Sequence, residues 1–284
     1  MASGATGFRH DQSGLKNIAD AFAAARNRAS AALMPYYTLG YPDRATSLDI
    51  IAAIAPHSDL LELGIPFSDP LADGPTIQHS TQVSLENGTT LAGCLDMIRE
   101  LRDLGITTPV LLFGYFNPFL SYGLERLVED SHQAGAQGFI VPDLPPEEAH
   151  DLESAATENG LAYIHFLAPT SSPTRIGNVT GRARGFIYLV SVTGVTGARQ
   201  SFQADLPAFI GRVRARTKAP LAVGFGISTP QQAAEIGRLA DGVIVGSALI
   251  NAVDRTEHHK REAAAEFIQS LKEALVTTGP QPTE

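Results

Sequence analysis

Two carboxylates, Glu62 and Asp73, lie where an apolar strand runs into a proline-rich loop. Because side chains alternate across a strand, Glu62 in Leu61-Glu62-Leu63-Gly64 points away from the two leucines. If the leucines pack under helices, Glu62 faces the interior, where burial raises the pKa of a carboxyl and makes it a candidate proton carrier. The alternative is a structural pair with a buried Arg or Lys, but the ends of the neighbouring strands supply no basic residue.

The loop of residues 66–75 is long and stiff, because its three prolines restrict the backbone and Gly74 permits a tight turn. Such a loop suits a second carboxylate that must be held in place, and Asp69 and Asp73 are the candidates. The alternative is ordinary turn chemistry, in which Asp often precedes Pro or Gly. Local features favour neither interpretation.

Two glycine-bearing loops, residues 224–230 and Gly246-Ser247, each follow a predicted strand and precede a helical pattern. Thr229 before Pro230 is typical of a helix N-cap followed by proline at the first helical position. Glycines let a ligand approach the backbone, and the free N–H groups at a helix start attract anions. Two such loops on adjacent strands favour a phosphate site, although each alone is compatible with a simple tight turn.

Residues 191–201 form a small, polar, glycine-bearing stretch that predicts a mobile loop, able to close as a lid that excludes water. The alternative is a flexible connector without a function. The eight histidines show no spacing typical of metal ligands, which argues against a metal site.

Short apolar runs alternate with amphipathic segments along the chain, which is the pattern of parallel β-α units. Eight such units predict an α/β fold, a single (β/α)8 TIM barrel over residues 15–276, with an open doubly wound sheet as the alternative. We expect an extra N-terminal helix over the barrel floor, an extra helix after strand 2, and disordered tails at residues 1–14 and 277–284. The predicted strands are residues 31–38, 60–64, 110–114, 138–141, 162–167, 186–190, 221–224 and 242–245.

Composition limits the function classes. The chain has 284 residues, and its formal net charge of -9 argues against nucleic acid as a partner. No apolar run approaches the roughly 18 residues that a membrane span needs. The single cysteine, Cys94, excludes an intramolecular disulfide and fits a reducing compartment, so we expect a cytoplasmic protein.

Several stretches together closely resemble one family, the α subunit of tryptophan synthase. The likeness runs in order from about Ala31 to Asn251. Two departures are mild: Tyr41 stands where many members have Asp, and Val192 replaces a common Arg. The matching stretches are residues 61–78, Val141-Pro142-Asp143-Leu144-Pro145, Gly194-Val195-Thr196-Gly197, Gly224-Phe225-Gly226-Ile227-Ser228 and Gly246-Ser247-Ala248.

The resemblance implies a cofactor-free retro-aldol cleavage of indole-3-glycerol phosphate to indole and glyceraldehyde 3-phosphate. It implies that Glu62 moves the protons and that Asp73 stabilises the positive charge that develops near the indole N–H. Thr196 resembles the residue that bonds to Asp73 when the loop closes, and Tyr188 matches a tyrosine near Glu62. Phosphate contacts match Gly197, Gly226, Gly246, Ser247 and the backbone of Phe225, and the candidates for an apolar indole slot are Phe22, Leu112 and Phe113.

The resemblance also implies an α2β2 assembly with a β subunit that carries pyridoxal phosphate and receives indole through a tunnel. The sequence offers an independent hint, because residues 115–123 place several large apolar side chains in a connection. The alternative is packing over the barrel's own rim. The predicted interface residues are Asp69, Phe116, Asn117, Pro118 and Phe119. Three other functions stay open: another phosphate-sugar isomerase, a stand-alone indole-releasing lyase, and a non-catalytic barrel that activates the partner.

Overall fold

The computed structural model describes residues 14–190, 198–224 and 226–276. The predicted tails at residues 1–13 and 277–284 lie outside the described residues, as do Thr196, Gly197, Phe225 and residues 191–197 of the predicted lid. Gly14, which we placed in the N-terminal tail, begins the first helix instead.

Eight parallel strands close into a barrel in which each strand pairs with its sequence neighbours and β8 pairs with β1. The predicted TIM barrel is therefore confirmed, and the open sheet is excluded. The observed strands agree with the predicted ones to within one residue, because each apolar run stops where a polar or glycine-bearing loop begins. They are β1 (Ala32–Thr38), β2 (Leu61–Gly64), β3 (Val110–Phe113), β4 (Gly138–Ile140), β5 (Ala162–Leu167), β6 (Ile187–Val190), β7 (Leu221–Gly224) and β8 (Gly242–Val245).

Twelve α-helices surround the barrel in the described part of the chain. Both predicted extra helices are present, α1 before the barrel and a helix pair between β2 and β3. The helices are α1 (Gly14–Asn27), α2 (Arg44–Ile54), α3 (Pro75–Glu86), α4 (Leu91–Asp103), α5 (Phe116–Tyr122), α6 (Leu124–Ala134), α7 (His150–Glu158), α8 (Pro173–Arg182), α9 (Ala198–Arg214), α10 (Pro230–Gly237), α11 (Ser247–Asp254) and α12 (Lys260–Val276).

Two segments that we expected to be irregular are helical. Helix α9 begins at Ala198, so the last four residues of the predicted loop 191–201 belong to a helix. The apolar spacing from Leu206 onward marked only the buried part of α9, and the preceding Ala-Arg-Gln contains good helix formers. Residues 116–122, which we treated as a connection, form α5, a helix too short for its apolar periodicity to be visible.

The buried side chains form two apolar cores, one inside the barrel and one between the barrel and its helices. The inner core takes alternate residues of each strand, such as Met34, Leu111 and Ile164, and the outer core takes the residues between them. Tyr36 is an exception, since it occupies an inward position of β1 opposite Glu62 but packs with the outer core at the barrel mouth. The period of two along each strand therefore decides which side chains reach the interior.

Helix α1 closes the floor of the barrel, and this placement corrects one predicted site residue. Phe22 packs against Phe186, with ring centroids 5.6 Å apart, and lies against Gly242 at the start of β8. Because parallel strands all start at the same end of the barrel, Phe22 lies at the end opposite the carboxyl ends of the strands. Its assignment to an indole slot is wrong.

Candidate active site

Glu62 lies at the centre of β2 and points into the barrel. Its flanking leucines, Leu61 and Leu63, belong to the outer core, and its partner in β3 is Leu111 of the inner core. The residue is 0% exposed. Neither carboxyl oxygen has a hydrogen-bond partner among the described residues, so the structural ion pair that we kept as the alternative is absent there.

Burial alone sets the protonation of Glu62. It raises the pKa of this carboxyl well above its ordinary value of 4.5, because the charged form loses its hydration and gains no compensating partner. Such surroundings favour the protonated form of a carboxyl. Glu62 is therefore chemically suited to donate a proton to a substrate atom and to take one back.

Asp73 lies near the end of the loop between β2 and α3, two residues before the helix begins. Its own N–H donates to the carbonyl of Pro70 (3.0 Å), and its carbonyl accepts a bond from Gln78 Nε2 (2.9 Å). Desolvation raises the pKa of the Asp73 carboxyl to about 6, against a lowering hydrogen bond from Tyr115. Asp73 is therefore mostly ionised at neutral pH, whereas burial favours the protonated form of Glu62.

Two tyrosines lie at the barrel mouth close to both acids. Tyr36 stands opposite Glu62 in the β1–β2 register, and Tyr188 lies on β6. The negative charges of Glu62 and Asp73 both raise the pKa of Tyr188, after burial, which is the larger cause. The pKa of Tyr36 is raised in the same way, by burial and then mainly by Asp73. The predicted Tyr188 and Tyr36 therefore both lie close enough to the two carboxyls to interact with them electrostatically.

An apolar slot adjoins these groups, but it differs from the predicted one. Phe113 at the end of β3 meets Tyr36 edge to face, with ring centroids 5.3 Å apart, so it lies at the mouth as expected. Leu112 belongs to the outer core and pairs with Leu63, so its assignment to the slot is wrong. Strand β3 is apolar on both faces, and its sequence does not reveal which residues turn inward.

The ends of β7 and β8 lead into helix starts at the same mouth. Thr229 caps α10 as predicted, accepting the Gln232 N–H at 3.2 Å. Gly226 has a φ of +51° and open space around its missing side chain. Gly246 is the N-cap of α11, which begins at Ser247, and no side chain caps this helix start. Its free N–H groups are available to an anion.

The rim near β2 and β3 carries the predicted interface residues, with one exception. Phe116 and Pro118 are half-buried and Asn117 and Asp69 are exposed. Phe119 is 0% exposed and packs against Phe139 and Gly114, so it holds α5 on the barrel and does not belong to a surface. Phe119 therefore lies on the buried side of α5, while Asn117 and Leu120 are exposed.

Sequence reasoning missed three residues of this region: Tyr36, Tyr115 and Leu71. Tyr36 was detectable, because it continues the inward alternation of Ala32 and Met34 along β1. Tyr115 approaches Asp73 from the neighbouring loop and lowers the pKa of its carboxyl. Leu71, two residues before Asp73 in the chain, is 90% exposed. Neither of these two positions follows from a local pattern, since each depends on how the loop of residues 65–74 folds.

Ranges 14–190, 198–224 and 226–276 hold no group of three or more His, Cys, Asp or Glu side chains able to bind a metal ion. Within the same ranges, no helix is both long enough and apolar enough to cross a membrane.

Comparison with known proteins agrees with this geometry. The sequence model of the family described as "Tryptophan synthase alpha chain" matches residues 22–277. The tryptophan synthase alpha chain of Chloroflexus aurantiacus is 50% identical over 263 residues, which cover 92% of this chain and 99% of that protein. The corresponding chain of Roseiflexus sp. is 49% identical over 260 residues, covering 91% and 100%.

Solved structures give the same result. A tryptophan synthase alpha chain from Legionella pneumophila superposes with a TM-score of 0.84 at 33% identity, covering 93% of this chain and 99% of that one. A chain of tryptophan synthase from M. tuberculosis, in an aminoacrylate- and BRD0059-bound form, gives a TM-score of 0.82 at 32% identity, covering 91% and 97%.

Proposed function

Because the chain belongs to the tryptophan synthase alpha chain family, we propose that it cleaves indole-3-glycerol phosphate to indole and glyceraldehyde 3-phosphate. The observation that carries this proposal is a pair of unlike acids at one barrel mouth. Glu62 is fully buried without a hydrogen-bond partner among the described residues, which favours its protonated form, whereas the pKa of Asp73 is about 6. Retro-aldol cleavage needs both forms at once, since it delivers one proton and stabilises one developing positive charge.

The bond changes assign one role to each acid. Glu62 delivers its proton to indole C3, which turns the ring into an indoleninium cation. The Glu62 carboxylate then takes the proton of the side-chain hydroxyl next to the bond, the carbon–carbon bond breaks, and its electron pair restores the aromatic indole. The aldehyde of glyceraldehyde 3-phosphate forms at the carbon that carried this hydroxyl, and Glu62 ends the cycle protonated. Asp73 stabilises the indoleninium cation through the N–H of the indole ring. No cofactor takes part in the reaction in this chain.

The remaining site residues bind and orient the substrate. Tyr36, Phe113 and Tyr188 form the apolar slot for the indole ring. Backbone N–H groups of Gly226, Gly246 and Ser247 hold the phosphate at the far side, where the helix dipole of α11 favours an anion. Thr196, Gly197 and Phe225 complete the phosphate end and the closing loop in this proposal, on the strength of the family motif alone.

We further propose that the chain works in the cytoplasm as the α subunit of an α2β2 complex with a β subunit that carries pyridoxal phosphate. The rim formed by Asp69, Leu71 and α5 supports this proposal, since it exposes apolar side chains next to the candidate site. Leu71 is 90% exposed and Leu120 is 54% exposed. Large apolar side chains clustered at one rim are typical of a partner surface.

The test is indole formation from indole-3-glycerol phosphate by the purified chain, with and without the β subunit. We expect slow release by the chain alone and a large increase when the partner is added. Rapid release without any stimulation would identify a stand-alone lyase. Absence of indole under both conditions, combined with faster turnover by the β subunit, would identify a non-catalytic activator.

A further inference from the structure

Tyr115 connects the loop that carries Asp73 to the helix that carries the exposed apolar rim. Its hydroxyl accepts the backbone N–H of Ala72 at 3.0 Å, and it lies close enough to Asp73 to lower the pKa of that carboxyl. Tyr115 is also the N-cap residue of α5. One buried phenol therefore links the backbone next to the candidate catalytic carboxylate to the start of the neighbouring helix.

The position of this phenol is fixed on both sides. Its ring packs against Phe67 at the beginning of the loop, with centroids 5.5 Å apart, and the residue is 3% exposed. The next residue, Phe116, donates its N–H to both oxygens of Asp143 at 3.0 and 3.2 Å. Asp143 thus anchors the start of α5, and a displacement of α5 would carry the phenol with it.

We propose that Tyr115 is a positioning residue that orients the Asp73 carboxylate and transmits to it the docking of a partner protein on α5 and the loop of residues 66–74. This role rests on the proposed function, because the orientation of the Asp73 carboxylate affects the rate only if Asp73 takes part in the reaction. Two observations carry the role: the bond to Ala72, and the placement of Leu71 and Leu120 on the two segments that the phenol joins.

The Tyr115 hydroxyl also affects the pKa of the Asp73 carboxyl. Desolvation raises the pKa of this carboxyl, and the Tyr115 hydroxyl opposes that rise. Tyr36 from β1 and Tyr188 from β6 also face Asp73, and burial raises the pKa of all three phenols. They stay neutral at the pH at which Asp73 titrates, so Tyr115 remains a donor. Removing its hydroxyl therefore removes a bond that favours the ionised carboxylate.

The first experiment measures the titration of Asp73 in the free chain by carbon NMR of the side-chain carboxyl. Tyr115→Phe keeps the ring packed on Phe67 and removes only the oxygen. We expect the pKa of Asp73 to rise from about 6 by about one pH unit. The matched control is Tyr163→Phe in β5, outside the rim and the candidate site, whose hydroxyl donates to the carbonyl of Leu144 at 3.4 Å. An unchanged pKa in Tyr115→Phe overturns the proposal, whether or not the chain releases indole.

The second experiment measures indole release across pH with the β subunit bound. For Tyr115→Phe we expect kcat to fall about tenfold with little change in KM, the acid limb of the profile to move to higher pH, and the stimulation by the partner to shrink. Tyr163→Phe should match the wild type. If the wild type is inactive, the proposed function fails. If the wild type is active and both variants behave alike, only the role of Tyr115 fails.

Discussion

The phenol of Tyr188 fills the space that a side chain at Gly224 would need, with its Cζ 2.7 Å from the ideal Cβ position of that glycine. Tyr36 stands in the same relation to Gly64, with its Cζ at 2.6 Å. Each glycine ends a strand, β7 or β2, at the barrel mouth. The tyrosines beside Glu62 thus owe their positions to two glycines whose requirement is close approach and not backbone freedom.

Gly224→Ala should therefore displace Tyr188 and lower indole release by at least tenfold, with a loss of stability of about 1–3 kcal/mol from overpacking. The measurement is kcat and KM beside thermal unfolding. The matched control is Gly181→Ala in α8, where a new Cβ meets no atom within 4 Å. That change should leave activity intact and stabilise the helix slightly. Full activity in Gly224→Ala would show that Tyr188 does not need this position.

Glu62→Gln should separate activity from stability. Without its proton carrier, indole release should fall by about 10²–10⁴-fold, while a phosphate-bearing substrate analogue should still bind. Because folding raises the pKa of Glu62, the folded state holds this proton more tightly than the unfolded state. Stability from this group is fully present below its ordinary pKa of 4.5 and declines as pH rises toward the folded value.

Glutamine does not titrate, so the Glu62→Gln variant escapes that decline. Its Tm should match the wild type near pH 4 and exceed it by roughly 2–6 °C at pH 8, for a gain of about 1–2 kcal/mol. Thermal melts at the two pH values check this. Equal Tm values at pH 8 would mean that the Glu62 carboxyl is not held in an unfavourable setting.

The pH profile of activity should carry the signature of Asp73. Its pKa of about 6 means that the carboxylate is lost below this pH, and with it the stabilisation of the indoleninium charge. We expect kcat to fall about tenfold per pH unit well below pH 6. The control is Asp73→Asn, whose kcat should be about 100-fold below that of the wild type. Its pH profile should keep only the decline that protonation of the substrate phosphate causes. A wild-type profile without the decline expected from protonation of Asp73 would remove this residue from the mechanism.

The strands and the orientation of Glu62 were predictable because both depend on local periodicity. The alternation Leu-Glu-Leu in β2 shows which face packs against the helices, because the two leucines share one face and Glu62 lies on the other. Strand β3 offers no such contrast, because Val110–Phe113 is apolar throughout, and Leu112 was placed on the wrong side for that reason. Phe22 was misplaced because nothing local shows which end of the barrel α1 covers. The reach of Tyr115 to Asp73 depends on two loop conformations and left no signal in the sequence.

The exposed rim leads to a prediction about binding that leaves folding unchanged. Leu71 and Leu120 are 90% and 54% exposed, so replacing either with Gln removes little packing within the chain. If the rim docks the β subunit, each leucine loses about 1–2 kcal/mol of apolar burial. Leu71→Gln and Leu120→Gln should then each weaken the complex by about tenfold, measured by calorimetric titration of the β subunit.

Leu104 provides the matched control, because it is 61% exposed but lies at the C-cap of α4, before β3 and so at the opposite end of the barrel. Leu104→Gln should leave both the affinity and the partner-stimulated rate unchanged. All three variants should melt with the wild type, since none of these side chains is buried. If Leu104→Gln weakened the complex as much as Leu71→Gln does, the partner would not dock on the rim formed by α5 and the loop of residues 66–74, and the link through Tyr115 would have nothing to transmit.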